Sequence, residues 1–558
     1  MFRRRLIGGV SMGAVGVLSM TMLLWAAATD APLADAAMAN DIEALRSLLA
    51  EDEVDVNAAQ GDGMTALHWA AFQDDVEMAK LLIVAEADVN AKVRIGGTTP
   101  LALASKNGSA EMIETLVEAG ADVHALTSNG TTQLMSAALS GSADAVSALL
   151  DHGAFVNARE STNGQTALMF AAWENRPEVI RVLAERGAHV GLASLLVPMT
   201  GPPVDTVGNV IVQPPQPPAP AAGQAGAKGG GPGGQQQAPP QDRRRRGPRA
   251  PGTNSIMGGM TALLFAARDG NLESVRALVE AGADVDQVNV GEGSSAMVIA
   301  IANGHYTVAK FLLDSGADPN LDNLDGLTPL YATVNMRYAP VSWAPNPRTD
   351  QETVDSLDLL QAFLDHGADP DARIERKLWF SPTSHDRGWI DSTGSTAFWR
   401  AAQSSDVEAM RVLVEGGADP GLASKGGATP LVVASGIGWI GNFTQNSPDS
   451  WMDAVRYCVE LGNDVNAPDV DGFTALHGAA ARGDEEMILY LLDQGADIEA
   501  INKDGNSVAD MAFGPSRFFI PKPPIRDLLV KLGSPFQDNC RSDQCVDGKF
   551  NAEGRTPN

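Results

Sequence analysis

Thr65-Ala66-Leu67-His68-Trp69-Ala70-Ala71 is a phrase the chain repeats far downstream as Thr474-Ala475-Leu476-His477-Gly478-Ala479-Ala480. Looser copies lie between and beyond the two. The threonine or serine that opens each copy stands at Thr65, Thr99, Thr132, Thr166, Thr261, Ser295, Thr328, Thr396, Thr429, Thr474 and Ser507. Where nothing is inserted, successive copies lie 33 or 34 residues apart. A fixed period of this length marks a supersecondary unit that stacks on copies of itself, and it takes precedence over any residue-level motif.

Each part of the phrase has a local physical task. The hydroxyl at its start caps a helix, and the proline of Thr99-Pro100-Leu101, Thr328-Pro329-Leu330 and Thr429-Pro430-Leu431 suits a first turn, where a missing N–H costs nothing. Small pairs such as Ala70-Ala71 and Ala266-Ala267 let neighbouring helices approach. Leucine pairs at Leu81-Leu82, Leu149-Leu150, Leu312-Leu313 and Leu491-Leu492 belong to a second helix and fill the space between copies. The glycine that follows, as in Gly316-Ala317-Asp318-Pro319-Asn320 and its variants at Gly120, Gly282, Gly367, Gly417 and Gly495, ends that helix with a left-handed residue. Asp62-Gly63, Asp325-Gly326 and Asp471-Gly472 then turn a hairpin into the next copy. No copy buries its apolar face alone, so the stack is the folding unit.

Taken together the phrase resembles the ankyrin repeat, with its Thr-Pro-Leu-His-x-Ala-Ala opening and Gly-Ala-Asp close. The resemblance implies an all-α solenoid of helix-turn-helix pairs with short β-hairpin loops, about eleven repeats long. It also implies a non-catalytic scaffold that binds a protein partner on its concave surface, without a cofactor. By the same resemblance, the residue after the Leu-His pair is core packing, which assigns Trp69, Leu103, Phe170, Phe265 and Ile299 to the interior. The residues just after Ala-Ala, and the one before the threonine, face the concave side. These partner-binding candidates are Met64, Phe72, Gln73, Lys106, Leu139, Gln165, Trp173, Met260, Arg268, Leu327, Asn335, Phe473 and Arg482. Phe72, Leu139 and Trp173 would form an apolar track that a solvated array has no structural need for.

Outside the repeats the organisation changes. Met1-Phe2-Arg3-Arg4-Arg5 followed by the uncharged stretch Leu6 to Ala28 reads as a signal peptide or an N-terminal membrane anchor over 1–28. Export follows from either reading, with a periplasmic protein, soluble or tethered to the inner membrane, as the expected product. Repeats then fill 32–191 and 258–534, with degenerate caps at Pro32 to Leu49 and Ile525 to Leu532, and an irregular tail covers 535–558. The stretch 192–257 between the repeat blocks contains Pro214-Pro215-Gln216-Pro217-Pro218 and Arg243-Arg244-Arg245-Arg246, and its composition predicts disorder. Its net basic charge suits an anionic partner, a membrane surface, or a loose association with the acidic repeats themselves. Whether the blocks stack across it is open at this stage. Later insertions fall between the helices of one repeat and in a hairpin, and Trp343, Trp379, Trp389, Trp399, Trp439 and Trp451 lie in or beside them, as interface anchors or as packing.

Composition narrows the remaining classes. A formal charge of −29 argues against nucleic acid as a partner of the whole chain. Three cysteines exclude a disulfide framework. Cys540 and Cys545 could close one small disulfide loop, and Cys458 reads as a buried thiol in a leucine's place. The histidines fall at repeat positions, no metal or phosphate-binding motif is present, and Asp469-Val470-Asp471-Gly472 lacks the ends of a calcium loop. A monomer is expected, with the membrane reached only through the N-terminal segment. Two other readings stand beside the scaffold. One is an enzyme with a site in 336–450, where His385, Asp386, Arg387 and Asp391 cluster in sequence, and the other is a secreted effector acting on a host protein.

Overall fold

The computed structural model describes residues 31–51, 54–198, 256–338, 347, 349–376, 378, 390–437, 447, 451–514, 520–537, 545–546 and 549–550. The proposed leader, most of the 192–257 insertion, Trp343, Trp379, Trp389, Trp439, His385, Asp386, Arg387 and Cys540 lie outside the described residues. The chain divides into two compact units, Met1–Ser128 and Asn129–Asn558.

Helices dominate both units. In the first, α1 (Pro32–Met38), α3 (Ala66–Gln73) and α5 (Pro100–Asn107) are the inner helices, and α2 (Ile42–Leu49), α4 (Val76–Val84) and α6 (Ala110–Glu118) are their outer partners. In the second, the pairs run α7 (Gln133–Ser140) with α8 (Ala143–Asp151), α9 (Ala167–Trp173) with α10 (Pro177–Glu185), α11 (Ala262–Arg268) with α12 (Leu272–Glu280), and α13 (Ala296–Ala302) with α14 (Tyr306–Asp314). They continue as α15 (Pro329–Arg337) with α16 (Ser356–Asp365), α17 (Ala397–Gln403) with α18 (Val407–Glu415), α19 (Pro430–Ala434) with α20 (Trp451–Glu460), α21 (Ala475–Arg482) with α22 (Glu485–Asp493), and α23 (Val508–Met511) with α24 (Pro523–Lys531). Each unit is therefore an all-α stack of helix pairs. Two short antiparallel pairings accompany the helices of the second unit: β1 (Leu196–Pro198) with β2 (Ile256–Gly258), and β3 (Cys545–Val546) with β4 (Lys549–Phe550).

The repeated phrase does what its chemistry requires. Thr65, Thr99, Thr132, Thr261, Thr328, Thr396 and Thr429 each accept a bond from the backbone N–H three residues on, which satisfies an orphan donor of the first turn. The inner alanines, Ala70, Ala71, Ala137, Ala138, Ala266 and Ala267, are fully buried between neighbours. Of each leucine pair on the outer helices one member, Leu82, Leu149 or Leu491, is completely buried and the other half-buried, whereas Leu312 and Leu313 are both buried. Gly120, Gly316 and Gly495 sit at φ near +90° with open space where a Cβ would stand, so conformation alone demands glycine there. Gly63 carries a second demand, because a Cβ would stand 2.7 Å from the Arg94 nitrogen.

The insertion does not interrupt the stacking. Helix α9 packs on α11 and α10 on α12, although some 95 positions separate them in the chain. The β1–β2 stem closes the base of the insertion, with Leu196 paired to Gly258. Capping across the junction is reciprocal. Asn271 donates to the carbonyls of Ala172 and Trp173 at 3.0 and 2.7 Å, at the end of α9. The Asn175 side chain accepts from the Ser274 N–H and hydroxyl at 3.2 and 3.0 Å, in the first turn of α12, whose own N-cap Asn271 makes no side-chain cap.

Candidate functional site

The inner helices carry the candidate residues, and each unit holds one aromatic pair on them. In the first unit Trp69 and Phe72 stand one turn apart on α3 and meet edge to face at 5.8 Å. The Trp69 indole donates to the Gln60 side-chain oxygen Oε1 at 2.9 Å, and Phe72 is 53% exposed. In the second unit Phe170 and Trp173 occupy the corresponding turn of α9, stacked at 6.5 Å, with Trp173 44% exposed. An acidic residue caps the C-terminus of each helix, Asp74 after α3 and Glu174 after α9, and both are exposed.

The stripe assigned to the core is therefore corrected in part. Trp69, Leu103, Phe170 and Ile299 are only half-buried and share the inner face with the residues one turn later, while Phe265 is buried. A residue at this position meets the neighbouring inner helix with one edge only. Its outer edge stays free unless a longer side chain crosses it, as Arg268 does over Phe265 at 5.1 Å.

Of the expected partner-binding residues, Phe72, Lys106 and Trp173 are exposed, and Met64, Gln73, Leu139, Gln165, Met260 and Arg268 are half-buried. Gln73 donates to the Met38 carbonyl, and Arg268 is tied to Asp269 by two bonds of 2.9 Å. Four others are corrected outright, because Leu327, Asn335, Phe473 and Arg482 are buried. Leu327 closes its hairpin, with its N–H on the Asn323 side chain, and Phe473 packs edge-on against His477 at 5.9 Å. Asn335 accepts from the Arg400 Nε at 2.8 Å. Arg482 lies under Trp451, its guanidinium 3.5 Å from the ring centroid, and burial lowers its pKa to about 9.

The later repeats thus enclose polar groups that the earlier ones leave open. Arg400 is wholly enclosed, donates to Asn335 and to the Tyr338 carbonyl, and has its pKa lowered by desolvation. Arg337, on the last turn of α15, bonds both carboxylate oxygens of the fully buried Asp406, the N-cap of α18. Parts of the expansions supply the cover: Ser447 donates to the Ser404 carbonyl, and Glu352 accepts from the Thr307 N–H and hydroxyl at 2.8 and 2.7 Å, capping α14 from outside its own repeat. Trp399 is no surface anchor. It is fully buried and donates to the Ala428 carbonyl at 2.8 Å.

The groups examined for chemistry are engaged structurally. His68 bonds Thr65 at 2.8 Å and the Thr98 carbonyl at 3.1 Å, and burial lowers its pKa. Burial likewise drives His477 to about 4. His366 ends α16 with its Nδ1 on the Ala362 carbonyl. Cys458 is a buried free thiol whose pKa burial raises. Asp469 accepts the Asp471 and Phe473 N–H groups of its own hairpin, and Asp391 does the same for Thr393. Among the described residues no three His, Cys, Asp or Glu side chains are grouped to hold a metal ion, and no helix is long and apolar enough to cross a membrane.

A stack of capped helix pairs with aromatic side chains left on its inner face defines a repeat protein of the interaction type. Comparison with known proteins agrees: residues 33–127, 119–194 and 247–336 match the family described as Ankyrin repeats (3 copies), and 449–492 match Ankyrin repeats (many copies). The chain belongs to the ankyrin-repeat family. It is similar to an ankyrin repeat-containing protein of Treponema pallidum (strain Nichols), 33% identical over 24% of this chain and 39% of that protein. Similarity extends to the human transient receptor potential cation channel subfamily A member 1, 24% identical over 43% of this chain and 18% of the channel. Mouse protein phosphatase 1 regulatory subunit 12A is 35% identical over 16% of this chain and 8% of that subunit. The matched stretches span well under half the length of these relatives.

Proposed function

We propose that this chain is a non-catalytic interaction scaffold of the cell envelope, which holds a protein partner against the inner helices of its repeats. The observation that carries the reading is the exposure of Phe72 and Trp173 on those helices. Large aromatics on rigid elements bury much area at little entropic cost, and they dominate binding where they reach a partner. Leu139, Met260 and the half-open Phe170 and Ile299 extend the same apolar character within the second unit. Export rests on the basic and then apolar N-terminal stretch, which places the partner in the periplasm, with the chain soluble there or tethered to the inner membrane.

Affinity capture from intact cells with the full chain, alongside fractionation, tests the proposal. Phe72→Ala and Trp173→Ala should each deplete the captured partner at least tenfold while the unfolding transition stays within about 0.5 kcal/mol. Capture unchanged by both substitutions would refute the assignment of the face, and a cytoplasmic full-length chain would refute export.

A further inference from the structure

In several places this chain lays one of its own arginines over an aromatic ring of the stack. Arg276 lies over Phe311 at 4.4 Å, Arg411 over Tyr457 at 5.7 Å, Arg456 over Tyr490 at 5.8 Å and Arg526 over Phe513 at 4.4 Å. On the inner face Arg268 treats Phe265 in the same way. Phe72 and Trp173, exposed on inner helices, depart from that arrangement. Among the described residues no arginine or lysine lies over Phe72 or Trp173. Each stands instead beside a carboxylate, Asp74 or Glu174, that no ion pair engages.

Resting on the scaffold reading, we infer that each aromatic pair with its following acid is a receptor for a lysine or arginine of the partner, which is a basic polypeptide segment with apolar residues between its charges. The cation would lie on the open ring, Phe72 or Trp173, and pair with Asp74 or Glu174. The apolar residues would meet Trp69 in one unit, and Phe170 and Leu139 in the other. The motif occurs once in each unit, from different residues: Trp then Phe in α3, Phe then Trp in α9. A net charge of −29 favours encounter with a basic segment, and two cations near the second pair are already engaged. Arg268 is held by Asp269, and Arg176 is spent on the Leu139 carbonyl at 3.3 Å.

The test titrates the full chain with a fluorescein-labelled Lys-Leu-Pro repeat peptide and with the same peptide carrying glutamine, or glutamate, for every lysine. The lysine peptide should bind about tenfold more tightly than the glutamine peptide, and the glutamate peptide more weakly still. Trp173→Leu and Phe72→Leu, which keep an apolar surface but lose the ring, should each weaken the lysine peptide about three- to fivefold. Glu174→Gln should reduce the salt dependence of its binding. Equal binding of the lysine and glutamine peptides, both weakened by Trp173→Leu, would overturn the basic preference and leave the docking face standing. A lysine preference untouched by all three substitutions would overturn the receptor and assign the effect to overall charge. A preference that emerges only when Arg243 to Arg249 are deleted would make the chain's own arginines the occupant, and would overturn the assignment to a partner.

Discussion

Within the second unit, the inner helices α7 to α13 and the inner helices α15 to α21 are built from the same phrase and end with opposite surfaces. The earlier set leaves Trp173 exposed and Leu139, Phe170 and Ile299 half-open. The later set encloses Asn335, Arg400 and Arg482 at the matching turns, with Asp406 and Trp399 beneath. The two sets also differ in where the chain is expanded. The 192–257 insertion leaves from a hairpin through the β1–β2 stem, and Trp173 on the last turn of α9 is exposed. The expansions after α15 and α19 start at the C-terminal ends of inner helices, where they meet Thr307, Ser404 and Arg482.

Breaking the enclosed set should cost most. Asp406→Ala takes from Arg337 the buried one of its two carboxylate partners, leaving Glu408, and removes the cap of α18, and it should lower stability by about 2–4 kcal/mol in urea unfolding. A second change sharpens the contrast through pH. The later set has His477 at the fourth position of its phrase, where α9 and α11 carry Met169 and Leu264. Burial holds the folded pKa of His477 near 4, below its ordinary 6.5, so the unfolded chain takes up the proton first as pH falls. Its contribution is present in full above about pH 6.5 and is lost progressively toward pH 4, about 2–4 kcal/mol in all. His477→Gln should flatten that part of the pH profile of the urea midpoint.

Smaller effects are expected at the junction and along the loops. Asn175→Ala removes the cap that crosses from one side of the insertion to the other and should cost about 1 kcal/mol, with faster amide exchange at the start of α12. Asn320 donates to the Gly367 carbonyl while accepting from the Asp369 N–H, but Asp371 at the equivalent place accepts from Asp419 and has no amide to donate. Asp371→Asn should therefore stabilise the chain by about 0.5–1.5 kcal/mol in the same unfolding assay.

Much of the fold was legible because its signals are local and repeated. The capping threonines, the left-handed glycines and the small alanines state their roles within a few residues, and the period reveals the stack. The site was legible only where a residue's surroundings also repeat. Phe72 and Trp173 have ordinary neighbours and lie where the phrase places them. Arg482 and Asn335 follow the same rule of position, yet each is closed by a side chain that does not recur from copy to copy, Trp451 over Arg482 and Arg400 on Asn335. Trp69 and Phe170 stand at a position the resemblance assigns to the core, and position in the phrase does not reveal that one edge of the ring is left exposed. Stacking across the insertion brings Asn271 to Ala172 and Trp173, and Ser274 to Asn175, from nearly a hundred positions apart, and no local signal announces these pairings.

Hydroxyl-radical footprinting of the full chain in its free state, read at each tryptophan by mass spectrometry, tests the contrast between the two sets most directly. The account predicts rapid oxidation of Trp173 and protection of Trp399, with Trp69 and Trp451 between them. Trp173 as strongly protected as Trp399 would contradict it, because the face assigned to the partner would then already be closed.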